Sequence, residues 1–490
     1  MTHVPAQSDH GQLRVIPAIV QRHAEDASFY WARHGDAISA TEHDWQSLQR
    51  MERLLDAHLE GLRVAQLESA QARAPIGDVA WSAAKTRLNR WGTSDESFVA
   101  GTLALHAMEV GSPGWLEELQ VLAQAQSEAG RGDAIAIGLA SAARRRGDPL
   151  SEKLALHWWQ QGSPLWRRAA LIAAYSMPTL QAPLIHDALP KGAEPSVIIE
   201  SARLAGACGI AEALPALLAV LNEPSSCMET KRVAAAAIGR LIGSAADGGV
   251  AWRQAEAVLL DAWITAPEQV ADEELLVWLW RAAPATTVPA IERMLVEGNE
   301  DRQRWREALR AIRLQGDPRW LSVLLQCMAH QSQEDEIRRF FVEPSSNLAR
   351  LAGDVFAHIT GARIGHQRWR EAPEPPDDAD EAMDNPYVPA AAKRDPDGAL
   401  LWPDVEVLSR EWSALSSSFD AARRYLGGEA VTESSLLQML GNAKASQQQR
   451  WQAALLLQLA RGPGPCFDVG APTPAQDRAL ATLGTTSWNW

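Results

Sequence analysis

The chain has 490 residues, of which 46% are hydrophobic and 22% charged, and a formal net charge of −15. This charge argues against a nucleic-acid partner, because clustered Lys and Arg bind a phosphate backbone. The four Cys lack a C-x-x-C pair, no run of 18 apolar residues occurs, and the N-terminus has no signal-peptide pattern. We therefore expect a cytoplasmic protein with no membrane partner.

The first 75 residues predict a pair of helices that caps the N-terminal end of the fold. One helix is expected from about Pro17 to His34 and a longer one from Glu42 to Glu68. The pair carries His23 and His58, but not in the His-Glu-x-x-His spacing that binds zinc. We predict that these two side chains form a hydrogen-bonded pair that joins the helices, and we expect no metal site.

Residues 76–370 contain a recurring helix breaker. Gly ends a helix in a left-handed cap, and Pro or Asp-Pro begins the next helix. Each breaker follows an Ala-rich helix and precedes a Leu-rich one, which predicts a stack of helical hairpins. The breakers are 30 to 41 residues apart, at Gly111, Gly147, Met177, Gly209, Gly243, Pro284 and Gly316.

The Ala-rich helices at 167–174 and 231–238 resemble those of HEAT-repeat proteins, in particular the short repeats of phycobilin-lyase-type proteins. The spacing of Trp, Leu-Gly and Tyr that marks tetratricopeptide repeats is absent. The resemblance covers roughly residues 80–365. It implies an all-α fold, a right-handed α-solenoid of about seven HEAT-like hairpins with helical caps, and it implies no particular activity.

The region after the repeats predicts a linker followed by a helical C-terminal region. Residues 371–402 form the linker, which is rich in Pro and acids from Glu371 to Asp384. Residues 403–490 are expected to cap the array, with Gly427-Gly428 at a helix end and an extended run from Gly462 to Pro474. Their predicted helices lie near Val405–Leu415, Ser434–Leu440 and Gln447–Leu459.

A closer resemblance rests on several stretches spread along the chain. They resemble a proteobacterial family of HEAT-repeat proteins that is often encoded near type VI secretion genes and has no assigned catalytic residues. The resemblance implies a genomic setting and not a reaction. The stretches are His23 to Asp26 with Trp31 and Arg33, Met51 to Leu62, Asp397 to Asp404, Arg424 to Gly427, and Arg450 to Leu455 followed by Phe467.

Two groups of residues are candidates for binding a protein partner. Arg302, Arg306 and Arg310 follow one face of a helix, together with Arg313, and either bind an acidic partner or form a salt-bridged surface. Trp402 lies in a Trp-Pro-Asp turn. Trp488 and Trp490 lie in a polar tail, where they either fold back onto the last helices or anchor a partner.

Trp supplies 20 of the aromatic residues, against 7 Phe and 4 Tyr. In an array with an Ala-rich layer of helices, each gap between hairpins needs a bulky filler, and Trp has the largest apolar area. We therefore expect about four in five Trp to lie in the core.

The sequence predicts a non-enzymatic scaffold that binds another protein. It contains no G-x-S-x-G, Walker or dinucleotide-binding motif, and we expect no catalytic residues and no cofactor. The family resemblance implies an accessory or adaptor protein of a type VI secretion system, with a secretion component or an effector as partner. Two alternatives stay open, an immunity protein that inhibits a toxin and a HEAT-like enzyme related to the phycobilin lyases.

Overall fold

Helices dominate the part of the chain that the structure describes. The computed structural model describes residues 15–71, 78–109, 114–127, 130–189, 194–243, 249–297, 302–338, 348–362, 369–370 and 400–485. Within these residues the expected all-α class is confirmed, and no helix there is both long enough and apolar enough to cross a membrane. The helices are α1 (Pro17–Ala37), α2 (Trp45–Gln71), α3 (Val79–Trp91), α4 (Ser94–Glu109), α5 (Gly114–Ala125), α6 (Arg131–Arg146), α7 (Pro149–Gln161), α8 (Pro164–Ala174), α9 (Pro178–Ala188), α10 (Pro195–Cys208), α11 (Leu214–Asn222), α12 (Met228–Leu241), α13 (Gly249–Thr265), α14 (Asp272–Arg281), α15 (Pro284–Glu297), α16 (Arg302–Gln315), α17 (Leu321–Arg338), α18 (Leu348–Thr360), α19 (Val405–Leu415), α20 (Glu433–Gly441), α21 (Gln447–Arg461) and α22 (Thr473–Thr485).

The predicted breakers coincide with helix ends wherever the structure describes them. Gly147 has a left-handed φ of 59° and donates its N–H to the Ala143 carbonyl at the end of α6. Asp148 then caps α7 by accepting from the Ser151 N–H, and Pro149 is its first residue. The breaker at Gly111 lies outside the described residues.

Two short antiparallel ladders interrupt the helices. β1 (Trp369–Arg370) pairs with β2 (Trp402–Pro403), and β3 (Tyr425–Leu426) pairs with β4 (Glu429–Ala430). Gly427 and Gly428 join β3 to β4, and both have positive φ, as a two-residue hairpin turn requires. The prediction of a helix end at Gly427-Gly428 is therefore wrong, because strands of two residues are too short to show alternating hydrophobicity.

The contacts divide the chain into two compact units. Unit 1 comprises Met1–Ala37, Gln46–Leu204 and Gly470–Thr473, and unit 2 comprises Ile38–Trp45, Ala205–Val469 and Pro474–Trp490.

In unit 1, the helices α4, α6 and α8 pack side by side in one row. Glycines let the first two approach closely, because a Cβ on Gly138 would overlap the Ser94 carbonyl and one on Gly101 would lie 2.9 Å from Leu139. α8 buries its alanines Ala169, Ala170, Ala173 and Ala174. Small residues thus produce the close packing that the Ala-rich pattern predicts.

In unit 2, the helices α12, α14, α16 and α18 form a second row. α12 buries the run of alanines from Ala234 to Ala237. A buried ion pair joins α12 to α14, with Arg232 Nε 2.8 Å from Glu274 Oε2. The Arg281 side chain donates to the carbonyls of Gly239, Ile242 and Gly243, and so caps the end of α12.

Residues 424–466, which we call the C-terminal segment, cover the carboxyl ends of helices in unit 2. The sequence predicts a cap on the end of the array, whereas this segment contacts one helix end after another. It donates hydrogen bonds of 2.7 to 3.0 Å to carbonyls that have no partner within their own helix. These bonds are from Gln458 to Gly206, Cys466 to Ala207, Arg424 to Leu279, Gln452 to Leu314, Tyr425 to Gly316, Gly427 to His358 and Gly428 to Ile359.

Glycines at three of these helix ends allow the close approach of the C-terminal segment. Gly209, Gly316 and Gly361 have φ of 70°, 65° and 66°. An added Cβ would overlap the backbone of Gly464, Tyr425 and Gly427, respectively. Glycine is needed at these positions both for its left-handed conformation and for the space it leaves.

α21 carries buried amide side chains that fix its position on the row. Gln452 donates to the Leu314 carbonyl and accepts from His358 Nε2 at 2.8 Å, so the neutral imidazole carries its proton on Nε2. Gln458 accepts from Arg240 Nε at 2.8 Å. Burial, together with the nearby Arg313, lowers the pKa of His358 from 6.5 to about 3.

The first prediction concerns the approach at Gly316. We expect Gly316→Ala to lower the free energy of unfolding more than Gly162→Ala does. Both glycines have positive φ, of 65° and 77°, but a Cβ on Gly162 has only the Gln160 carbonyl oxygen, at 4.0 Å, within contact range. In the control, the free energy of unfolding should fall by about 1–2 kcal/mol, because alanine is strained in the left-handed conformation. In Gly316→Ala it should fall by about 1–3 kcal/mol more, because the hydrogen bond from the Tyr425 N–H to the Gly316 carbonyl is also disrupted.

Urea unfolding measures the free energies, and hydrogen exchange at the Tyr425 amide identifies the cause. Protection of that amide should fall in Gly316→Ala and stay unchanged in Gly162→Ala. Equal losses of stability with Tyr425 still protected would contradict the close contact.

The second prediction follows from the buried His358. The pKa of His358 is lower in the folded protein than in the unfolded chain. Its contribution to the free energy of unfolding is therefore fully present above pH 6.5 and decreases as the pH falls toward 3. Between pH 7.5 and 5.5 this group should reduce the free energy of unfolding by about 1.4 kcal/mol. The variant His358→Gln has no titrating group at this position. Its free energy of unfolding, measured by urea titration, should therefore fall over the same pH interval by that much less than the free energy of unfolding of the unmodified chain. An identical pH dependence of the two proteins would refute the assignment.

Candidate functional site

The predicted arginine face on α16 is largely engaged within the protein. Arg310 Nη2 donates to the carbonyls of Pro267 and Val270 at 3.2 and 2.7 Å, and its Nε lies 3.3 Å from Asp272. Arg313 lies 3.7 Å from the same carboxylate. Arg306 is half-buried, and Arg302 is the first residue of α16. Of the two interpretations of this face, a salt-bridged surface and a site for an acidic partner, the first describes Arg310 and Arg313.

Trp402 is buried and has little surface to offer a partner. Its side chain is 4% exposed, and the Arg350 guanidinium lies 5.2 Å from the ring centroid. Its backbone pairs with Arg370 in the β1–β2 ladder. Asp404 accepts from the Val407 N–H and begins α19. Trp488, Trp490 and the acidic stretch from Glu371 to Asp384 lie outside the described residues.

The histidines of the N-terminal pair contact each other as expected. His23 Nδ1 and His58 Nδ1 are 3.0 Å apart, and the Tyr30 ring stacks on His58. Burial lowers the pKa of His58 against the opposing effect of Asp26. Gly61 provides the space for the His23 ring, because a Cβ there would lie 2.8 Å from its Nε2. Among the described residues, no group of three or more His, Cys, Asp or Glu side chains could hold a metal ion.

A different group of polar residues in unit 1 has the properties of a binding site. The positive charges of Arg203 on α10, Arg168 on α8 and Arg144 on α6 each act to lower the pKa of Glu200, and we call these three side chains the arginine cluster. The alanines of α6 and α8 are buried, whereas Arg144 and Arg168 on the same helices are half-buried.

Glu200 is buried beneath the arginine cluster. Arg203 Nη1 lies 3.8 Å from its Oε2, and the Tyr175 side chain makes a hydrogen bond to it. Burial raises the pKa of this carboxyl, and the three arginines and Tyr175 oppose that effect without cancelling it.

The outer side of the arginine cluster is open to solvent. The side chains of Arg168 and Arg203 are 27% and 42% exposed, and Arg144 is half-buried with its guanidinium 4.6 Å from the Tyr175 ring centroid. Arg168 also lies 3.4 Å from the exposed Asp133. Planar guanidinium groups bind carboxylates and phosphates in a bidentate manner, so the arrangement suits an anionic ligand.

No protein-family model, curated protein or solved structure matches the chain. The function is therefore inferred from the chemistry of the side chains described above.

The sequence pattern did not predict the arginine cluster. Arg168 was visible in the Ala-rich pattern of α8, whereas Arg144 and Arg203 lie on two other helices, α6 and α10. The row Arg302, Arg306, Arg310 was more conspicuous because its members lie on a single helix.

The third prediction tests the structural role of Arg310. Arg310→Gln should reduce the free energy of unfolding by about 1–3 kcal/mol, because two backbone carbonyls lose a charged donor. The control Arg293→Gln, at an exposed residue that pairs with Glu297 on the same helix, should change it by less than about 0.5 kcal/mol. Urea unfolding of both variants measures the difference. If Arg310→Gln leaves the free energy of unfolding almost unchanged, the structural role is wrong and Arg310 is again a candidate for binding a partner.

Proposed function

We propose that the protein is a non-enzymatic scaffold that binds another protein. The proposal is supported above all by the arginine cluster, whose side chains come from the three helices α6, α8 and α10 and are partly exposed. Stacked helices supply long, regular surfaces for such contacts. A ligand that spans several helices uses this geometry better than a small substrate, which needs a closed pocket.

We further propose that the helical hairpins are HEAT-like and form a right-handed solenoid. The repeated sequence of Ala-rich helix, Gly or Asp-Pro breaker and Leu-rich helix supports this, as do the rows α4–α6–α8 and α12–α14–α16–α18. The family resemblance of residues 23–62 and 397–467 favours an accessory or adaptor role in a type VI secretion setting, with a secretion component or effector as partner.

The fourth prediction is that the full chain forms a defined complex with a product of a gene adjacent to its own. Each purified product is mixed with the chain and analysed by size-exclusion chromatography with light scattering. We expect one product to co-elute at a fixed molar ratio, while an unrelated acidic protein of similar size elutes separately. If every neighbouring product elutes alone, the adaptor role is wrong.

A further inference from the structure

The contact between His23 on α1 and His58 on α2 depends on protonation. The two Nδ1 atoms lie 3.0 Å apart, which is a hydrogen bond when one of them carries a proton and the other does not. When both rings are protonated, both Nδ1 atoms are donors, so two N–H groups and two positive charges face each other. The contact therefore tolerates one proton on the two facing atoms and not two.

The packing around this pair leaves the two rings little room to turn away from each other. A Cβ on Gly61 would lie 2.8 Å from Nε2 of the His23 ring and 2.9 Å from two of its carbons, so this ring rests directly on the backbone of α2. The Tyr30 ring stacks on His58, with centroids 5.6 Å apart and an interplanar angle of 18°. A second proton is therefore accommodated by moving α1 away from α2 at this position.

The charged groups around the pair reduce the repulsion between the two protonated rings but do not remove it. Asp26 Oδ2 lies 3.9 Å from His58 Nε2, and it also accepts from Arg22 Nε at 3.0 Å, so its charge is shared. Burial lowers the pKa of His58 more than Asp26 raises it, and the charges of His23 and Arg22 lower it further. The carboxylates on neighbouring turns have partners of their own, which are Arg145 for Asp56, Arg63 for Glu60, and Arg87 for both Glu25 and Glu96.

The N-terminal turns of α1 are the part of this helix that separates most easily from α2. Further along α1, the Trp31 ring stacks on Phe98 of α4 with centroids 3.7 Å apart, which holds the C-terminal half of the helix. Between the start of α1 and His23, only Val20 is buried, whereas Ile19 is 51% exposed. Loss of the histidine contact therefore releases these turns and leaves the rest of the helix in place.

We propose that the His23–His58 pair is a pH-dependent contact that attaches the N-terminal turns of α1 to α2. The turns are attached while one of the facing Nδ1 atoms lacks a proton, and they separate and uncover Val20 when both rings are protonated. Separated histidines bind the second proton and the attached pair does not, so attachment is complete above about pH 6.5 and is lost as the pH falls. The proposal does not depend on the scaffold function above.

The fifth prediction is tested by hydrogen exchange of the full chain at pH 7.5 and 5.5, with mass spectrometry of its peptides. Exchange rates are divided by those of an unstructured chain at the same pH, which gives a protection factor for each peptide. Protection of residues 17–24 should fall by about fivefold between the two pH values, because the separated histidines titrate near pH 6.5. Protection of residues 98–105 on α4 should change by less than about twofold, because the opening is local.

Substitution by Asn at either histidine should abolish the pH dependence. In His58→Asn the side-chain amide both donates and accepts without titrating, so the contact with His23 persists at either pH. Protection of residues 17–24 should then change by less than about twofold. The reciprocal variant His23→Asn has the same expected result, and it keeps the test decisive if His58→Asn fails to fold. The control His106→Asn removes a histidine that pairs with Glu109 on its own helix, and it should retain the full fall in protection.

Three outcomes would overturn the proposal. They are constant protection of residues 17–24 in the unmodified chain, an equal fall in the two Asn variants of the pair, and an equal fall in residues 98–105, which would show general unfolding. Circular dichroism at pH 7.5 verifies that each variant is folded.

Discussion

The architecture of unit 2 depends on hydrogen bonds between the C-terminal segment and the carboxyl ends of its helices. The last carbonyl groups of a helix receive no hydrogen bond from within the helix. Leaving one of them buried without a donor costs about 1–3 kcal/mol. Backbone amides at Tyr425, Gly427, Gly428 and Cys466 fill this need, together with side chains of α21. The segment is therefore an integral part of the packed row, although it follows the repeats in sequence.

This constraint explains why α21 buries polar side chains. An apolar helix would pack on the row but leave the helix ends unsatisfied, whereas Gln452 and Gln458 each donate to a carbonyl and accept from His358 or Arg240. The pairing also fixes the register of α21, since moving it by one residue would break both sets of bonds. The arginine cluster of unit 1 differs, because its guanidinium groups are partly exposed to solvent.

The sequence was informative where structure is local. Caps such as Gly147 with Asp148-Pro149, and the bounds of α19 and α20, follow from neighbouring residues and were predicted within a few positions. The contacts of Tyr425 with Gly316 and of Gln458 with Gly206 join residues more than 100 positions apart, and no periodicity reveals them. The arginine cluster was missed for the same reason, because its members lie on three different helices.

Long-range contacts between arginine and tryptophan account for part of the abundance of Trp. Of the 17 Trp whose side chains are described, nine are buried, seven are half-buried and Trp91 is exposed, so filling gaps explains only part of the excess. Burial lowers the pKa of Arg424 and Arg450 to about 10, so both remain charged at neutral pH. Their guanidinium groups lie 4.9 Å and 3.8 Å from the ring centroids of Trp280 and Trp45. An indole face attracts a cation that has lost its water, which Leu or Ile cannot do. Trp280 and Trp45 therefore have a role that an aliphatic side chain could not fill, which is to stabilise the charge of two largely buried arginines.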